Sequence, residues 1–438
     1  MTHQLTLQEL AEFSKAFNQN PQNSVLARAA QRSGVLEASY NERVAGKLTR
    51  VFSTELDTDQ VSNQKHSGRC WLFSTLTVLR HAFGKKYKAK NFEFSQAYNF
   101  FWDKIERANM FYDKMIELAD KPLNDREVRT YLDFAGQDGG QFHMAASLVA
   151  KYGVVPTYAM PESFNTNDTT GFAQALADKE RKDALTLRKL AKDGDKDALE
   201  KARKQFLNEV YRMTAIAVGE PPKTFDLEYR DDDKNYHLDK NLTPVEFFNK
   251  YLGDVDFEDY VVLTNAPDHE YNKLYSLPSQ DNVRGKYEIK FLNVPMEYLK
   301  DAAIAQMKDG EAVWFGNDVL RQMDRKTGYL DTNLYKLNDL FGVDLSMSKA
   351  DRLRTGAGEV SHAMALVGVD EDQGEVRQWK VENSWGDKSG KKGYFVMNNE
   401  WFNEYVYEVV VHKKYLTSEQ VKLAEGAAEE LAPWDSLM

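Results

Sequence analysis

"QKHSGRCWLF" runs from Gln64 to Phe73 and holds Cys70, the one cysteine of the 438-residue chain, with a tryptophan directly after it. The stretch before it, "TRVFSTELDTDQVSNQKHSGR" (49–69), is polar and aperiodic and reads as an extended segment. From Trp71 the pattern changes. "WLFSTLTVLRHAF" is dense in apolar residues at helical spacing, so a mostly buried helix is expected to start near Cys70, with the cysteine in its first turn. A lone cysteine is ordinarily a small buried hydrophobe. At a helix N-terminus it gains another use, because the unpaired N–H groups there stabilise a thiolate.

Two further stretches carry what such a thiolate needs. "EVSHAMALVGVD" places His362 at the head of a strand, and "VENSWGDKSGKKGYFVMNN" places Asn383 at the end of one strand and Tyr394 at the start of the next. An imidazole can take the thiol proton and later deliver it to a departing amine. An asparagine oxygen can hold that imidazole in one orientation and tautomer without adding charge. Developing oxyanion charge needs donors, and the Cys70 N–H and the Gln64 amide are candidates. Trp385, two residues after Asn383, would shield the His–Asn bond from water. Nothing in the spacing alone brings these groups together, since Cys70 and His362 lie 292 positions apart and His362 and Asn383 lie 21 apart.

Along the chain, "TLQE" (Thr6–Glu9) is a capping box and opens an early helix. "SQAYNFFWDKIERANMFYDKMIELADK" (Ser95–Lys121) reads as one long helix or two short ones with Ser95 as a cap. "AGQDGGQFHMAASLVAKYG" is a Gly-rich turn followed by an apolar helix, with Asp138 placed to cap it or to face a cleft. Between Thr166 and Val218 two charged amphipathic helices meet at Asp193-Gly194. From Pro221 strands dominate, among them "DYVVLTNA", "KYEIKFLNVP", "EAVWFGNDV", "VRQWKVENSW", "KGYFVMNNEWF" and "YEVVVHKKYL". Helices early and strands late predict an α+β protein. The expected division is an N-terminal helical arm (1–60), a helical half carrying the nucleophile (61–160), an inserted helical hairpin (161–220), a mainly β half carrying His362 and Asn383 (221–415) and a C-terminal arm (416–438).

Composition narrows the class. The chain is 42% hydrophobic and 29% charged, with 57 basic and 68 acidic side chains for a net charge of -11, which argues against nucleic-acid binding. No apolar run is long enough to span a membrane. The N-terminus "MTHQLTLQEL" has neither a basic n-region nor an apolar h-region, so no secretory signal is expected. The histidines form no metal-spaced cluster, and no metal or organic cofactor is expected. His66 lies close to Cys70 and is placed at the cleft rim or surface.

The three stretches together resemble the papain-like cysteine peptidases. "SGRCW" is similar to their nucleophile region, whose local form is C-G-[SA]-C-[WY]; "SHAMALVG" resembles their histidine strand, "VENSWG" their asparagine turn and "GQDGG" their Gly-Gly cleft segment. "PTYAMPESF", "FSQAYNFFWDKIERAN" and the final "LAPWD" resemble the bleomycin hydrolase and bacterial aminopeptidase C branch over nearly the whole chain. The resemblance implies a papain-like fold, a helical part plus an antiparallel-sheet part with helical insertions, with Cys70 as nucleophile, His362 as base and acid, Asn383 as its orienting partner and Gln64 as oxyanion donor. It implies peptide substrates, with Asp138, Gly139, Gly140, Trp385 and Met438 at the substrate cleft. It also implies a homo-oligomer, a hexamer, in the cytoplasm. Ser67 stands where secreted relatives place a disulfide cysteine, which agrees with a reducing compartment. In this branch a C-terminal arm in the cleft, with its carboxylate receiving the substrate amine, makes an aminopeptidase. Here only "SLM" follows "LAPWD". That leaves an oligopeptide endopeptidase as the alternative, with a non-catalytic scaffold on the same fold as a third reading.

Overall fold

The computed structural model describes residues 3–44, 46–58 and 60–438. At its centre the helix Cys70–Tyr87 packs against a large mixed sheet. Trp71, Leu72, Phe73, Leu76, Leu79 and Phe83 of this helix are each at most 2% exposed. Each such side chain contributes about 1.5–3 kcal/mol on burial, so the apolar run after Cys70 fixes the helix firmly in the core. Its cysteine end is thereby held in place.

Around this helix the N-terminal half is helical. Gln96–Glu117 is a single long helix, capped by Ser95 Oγ accepting from Tyr98 N at 3.1 Å. The helices Thr170–Asp193 and Lys196–Val218 turn at Gly194, whose φ of +72° places it in the left-handed region that suits glycine. Both pack on Gln96–Glu117, and Phe172, Leu176, Leu187 and Val210 join the same core cluster as Trp71 and Phe100. Helix Phe142–Tyr152 follows the Gly-rich turn. Its N-cap residue is Gln141, so the cap role open to Asp138 is not the one it takes.

Among the described residues, the main sheet has twelve strands. Its middle is antiparallel and runs in the order Tyr260–Thr264, Val406–His412, Val313–Asn317, His362–Asp372, Glu375–Glu382, Tyr394–Asn398. The flanks depart from the expected antiparallel arrangement. Lys290–Asn293 lies parallel to Tyr260–Thr264, Tyr329–Leu330 parallel to Tyr394–Asn398, and Glu429–Glu430 parallel to Lys273–Ser276. The chain reverses twice between Thr264 and Lys290, through the strand Lys273–Ser276, and so returns in its original direction. The stretch "KGYFVMNNEWF" also differs from a simple strand. Asn398 Oδ1 accepts from Trp401 N at 2.7 Å, which ends the strand and caps a helix over Asn399–Tyr405.

The sheet has two packed faces. Val313, Phe315, Val409 and Val411 point into one core, while Trp314, Val410 and Ala363 point into the core shared with the helices. By the strand alternation, Gly316 and Glu408, paired across adjacent strands, face the helices as well. The C-terminal segment is fastened across the molecule. Leu431 N donates to Ser276 O at 2.8 Å, Leu437 is fully buried, and His269 sits between Asp268 and Asp435 at 3.0 and 3.2 Å. No described helix is long and apolar enough to cross a membrane.

Candidate active site

Cys70 is the first residue of its helix and is partly buried. The turn before it is built around Arg69, which is fully buried. Its guanidinium donates to both Glu162 oxygens (3.1 and 2.7 Å), to Thr166 O (2.6 Å) and to Ser67 Oγ (3.0 Å). A buried arginine with this many acceptors holds the helix start rigidly. The Gly-Gly segment packs directly on this turn. A Cβ at Gly68 would lie 2.9 Å from Asp138 Cβ, and one at Gly140 would lie 2.8 Å from the Trp71 ring. Any side chain at either glycine would therefore push the two segments apart. Trp71 Nε1 donates to Asp138 O at 2.6 Å, and the Asp138 carboxylate accepts from Lys104 Nζ at 2.7 Å and from Gly68 N at 3.4 Å. Burial pushes the Asp138 carboxyl up, but Lys104 and the hydrogen bonds outweigh it and hold it below the ordinary value.

The backbone N–H of Ala363 faces the Cys70 thiol, which places His362, its chain neighbour, beside the cysteine. His362 Nε2 lies 2.9 Å from Asn383 Oδ1. The same Oδ1 accepts from Ser384 N at 2.7 Å. A backbone N–H can only donate, so the asparagine atom facing both groups is its oxygen. Nε2 of His362 then carries a proton, and Nδ1 is left as the basic nitrogen. Trp385 covers the imidazole, with ring centroids 4.9 Å apart and planes tilted by 35°. The Arg325 guanidinium lies over the far ring system, 4.7 Å from the Trp385 centroid.

Burial pushes the Cys70 thiol up, against the N–H groups of Ala363, Trp71 and Cys70 itself. Burial also drives the His362 imidazole down to about 4, opposed by the Asn383 bond. Each charge alone is disfavoured in this enclosed spot. A thiolate and an imidazolium formed side by side would compensate each other.

Gln64 is tied to the asparagine turn. Its N donates to Ser384 O at 2.8 Å, its Oε1 accepts from Ser384 Oγ at 2.5 Å, and its Nε2 donates to Ser67 O at 2.6 Å. That fixes the amide with its nitrogen toward Ser67 and leaves it a second N–H. The structure thus brings together Cys70, His362, Asn383, Gln64 and Trp385.

A cavity of about 230 Å³ has Gly139, Gly140, Val360 and Met438 in its wall, and none of those five residues lines it. Gly140 lies against the ring of Trp71, the residue after Cys70, and Val360 lies two residues before His362, which links the cavity wall to both segments. Asp138 is not in the wall. Its carboxylate is engaged by Lys104 and Gly68 beneath the Gly-Gly segment. His66 bonds through its N–H to Asn167 O, away from this cluster.

Several contributors have roles that only their long-range contacts show. Glu382 accepts from His81 Nε2 at 2.8 Å and from Arg80, and so bolts the Cys70 helix to the residue before Asn383. Burial pushes the Glu382 carboxyl up, but Arg80 and His81 outweigh it and keep it low. Arg69 and Ser384 stand inside motifs that would have pointed to them. Glu162 and Glu382 also lie inside quoted stretches, "PTYAMPESF" and "VENSWG", but what they do there is found only through their long-range partners. Among the described residues, no group of three or more His, Cys, Asp or Glu side chains could hold a metal ion.

A thiol at a helix N-terminus, an imidazole held by an asparagine oxygen and a glutamine amide tied to the asparagine turn, set between helices and a sheet, fit a cysteine-type peptidase with a papain-like fold. The Peptidase C1-like family matches residues 4–438, and the chain belongs to it. It is 77% identical to aminopeptidase E of Lactobacillus helveticus and 78% identical to aminopeptidase G of Lactobacillus delbrueckii subsp. lactis, each over 100% of both chains. The crystal structure of PepW from Lactobacillus rhamnosis HN001 is similar with a TM-score of 0.97 and 45% identity, covering 100% of this chain and 99% of that one.

Proposed function

We propose that the chain is an aminopeptidase acting through a thioester. Cys70 Sγ attacks the scissile carbonyl, and its proton passes to His362 Nδ1. The oxyanion is met by the Cys70 N–H and the Gln64 amide. The C–N bond breaks as His362 returns the proton to the leaving amine. Water, deprotonated by the same imidazole, then hydrolyses the thioester and frees the thiol. Asn383 keeps the imidazole in the tautomer this needs. The observation that carries the mechanism is the Asn383 oxygen shared by His362 and Ser384 N, which supports a single His362 tautomer.

Relatives at 77% and 78% identity bear the name aminopeptidase, and Met438 in the cavity wall supports a cleft shortened on its non-primed side. An oligopeptide endopeptidase is the second reading, favoured by the roughly 230 Å³ of space left beside Met438. The test compares peptides that differ only in a free or acetylated N-terminus. Release of the first residue from free-amine peptides alone is the expected result. Efficient internal cleavage of the acetylated peptide would replace the aminopeptidase reading with the second one.

The same family resemblance supports a homo-oligomer, a hexamer, working in the cytoplasm, where Cys70 stays reduced. The helices Leu7–Gln19 and Pro21–Ser33 bury no residue within the chain and expose Leu7, Phe13, Phe17 and Val25. Such an apolar face favours cover by another copy. Removing residues 1–34 is expected to lower the solution mass from several chain masses to one. A full-length protein that runs as a monomer in light scattering would refute the hexamer.

A further inference from the structure

Arg325 is an exposed arginine with no carboxylate to pair with among the described residues. It sits on the turn between the short strands Met323–Asp324 and Tyr329–Leu330, and its guanidinium lies over the Trp385 ring, 4.7 Å from the centroid. Nε reaches Ser389 Oγ at 3.4 Å, and neither terminal nitrogen has a partner among the described residues. A guanidinium stacked by its face keeps its N–H edge free, and that edge matches a carboxylate.

The surroundings share its sign. The Asp324 carboxylate is spent on Thr327 Oγ1 at 2.7 Å and Tyr40 OH at 3.3 Å. Lys326 follows Arg325, and the facing turn, held by Gly390 N donating to Arg325 O at 2.9 Å, carries Lys388, Lys391 and Lys392 against a single acid, Asp387. All five of these side chains are exposed, and among the described residues none is in an ion pair. In a chain of net charge -11 this corner is basic.

The corner adjoins the leaving side of the site. In the proposed mechanism His362 returns its proton to the leaving amine, so the departing half of the peptide lies beside the imidazole. Trp385 covers that imidazole at 4.9 Å, while neither Trp385 nor Arg325 is in the wall of the cavity that holds Met438. The two ring distances place the guanidinium within about 10 Å of the imidazole, the span of about three extended residues. The charge is felt there. Burial drives the His362 imidazole down to about 4 against the Asn383 bond, and Arg325 adds to the lowering.

We propose that Arg325 is a specificity-determining residue of the leaving side, taking a carboxylate of the departing peptide half within about three residues of the cut bond. Two parts of a peptide can supply it, the C-terminal α-carboxylate of a short substrate or an acidic side chain. This rests on the aminopeptidase reading above and adds what its leaving side selects.

The test uses the full-length enzyme and two pairs of peptides, with release of leucine followed by chromatography. Leu-Gly-Gly and its C-terminal amide differ in the α-carboxylate. Leu-Glu-Gly amide and Leu-Gln-Gly amide differ in the side chain. Wild-type kcat/KM is expected to favour the acid in at least one pair by about fivefold, the upper range for a solvent-facing charge pair. A preference in the first pair assigns the α-carboxylate, and one in the second assigns the side chain. Arg325→Gln is expected to bring that ratio to about one, and Arg325→Lys to restore part of it. Loss of a merely structural clamp on Trp385 would slow both members of a pair alike and leave their ratio unchanged. A ratio that survives in Arg325→Gln therefore overturns the proposal, and so do wild-type ratios of one in both pairs. Should neither variant fold, salt takes their place. At 1 M salt, where charges are screened beyond about 3 Å, the wild-type ratio is expected to fall toward one, and a salt-independent ratio overturns the proposal. Wild-type protein that releases leucine from none of the four refutes the aminopeptidase reading, and the proposal falls with it.

Discussion

Cys70→Ala is expected to abolish peptide hydrolysis, lowering kcat by about 10⁴-fold or more, because no other group in the site can form the thioester. Folding is expected to survive. The side chain is small and sits at the first position of a helix whose anchorage comes from Trp71, Leu72, Phe73 and Leu76 deeper in the core. A loss of no more than about 1 kcal/mol in unfolding free energy follows. Parallel measurement of turnover and chemical denaturation separates the two effects. Substantial turnover by a folded alanine variant would overturn the assignment of the nucleophile.

The second large effect concerns the C-terminal arm. Its last turn is clamped by His269, which Asp268 and Asp435 push up to about 10, so the imidazole is charged at neutral pH and pairs with both. Ser436 Oγ adds a bond to Asp268 at 2.7 Å, and the Arg126 guanidinium lies 4.2 Å from the Trp434 ring centroid. Deleting residues 433–438 removes Met438 from the cavity wall and opens the non-primed side. The ratio of acetylated to free-amine peptide cleavage is expected to rise by about tenfold, the equivalent of about 1.4 kcal/mol of binding selectivity. An unchanged ratio in a folded, active variant would show that the arm does not set where the enzyme cuts.

The reactive core of this protein is legible in its sequence because each part sits in a strong local pattern. Cys70 opens an apolar helical run, His362 heads a strand of buried residues, and Asn383 closes another. The parts that position them are not legible in this way. Glu382 meets Arg80 and His81 across the molecule, and Arg69 meets Glu162; such ion pairs leave no periodicity and no fixed spacing. The parallel flanks of the sheet escape for a related reason, since strand direction is set by how the loops route the chain and not by alternation within a strand. The helix Asn399–Tyr405 was hidden by its aromatic residues, which favour strands, until the Asn398 cap decided the matter. Asp138 illustrates a subtler limit. Its place next to two glycines fits both a helix cap and a cleft residue, and only the position of Lys104 shows that it braces the segment from below.

The Glu382 bridge also bears on how the enzyme comes into being. Arg80 and Glu382 are 302 residues apart, so the bond that aligns the thiol helix with the asparagine turn closes one of the longest loops in the chain. Contacts of such separation form late, after nearer ones have shortened the search. During synthesis the thiol helix leaves the ribosome with most of the sheet still unmade, and it has no imidazole to activate it. On the proposed mechanism, hydrolytic capacity would therefore arrive late, when the sheet closes over the helix. A half-made chain would carry the thiol without its proposed base.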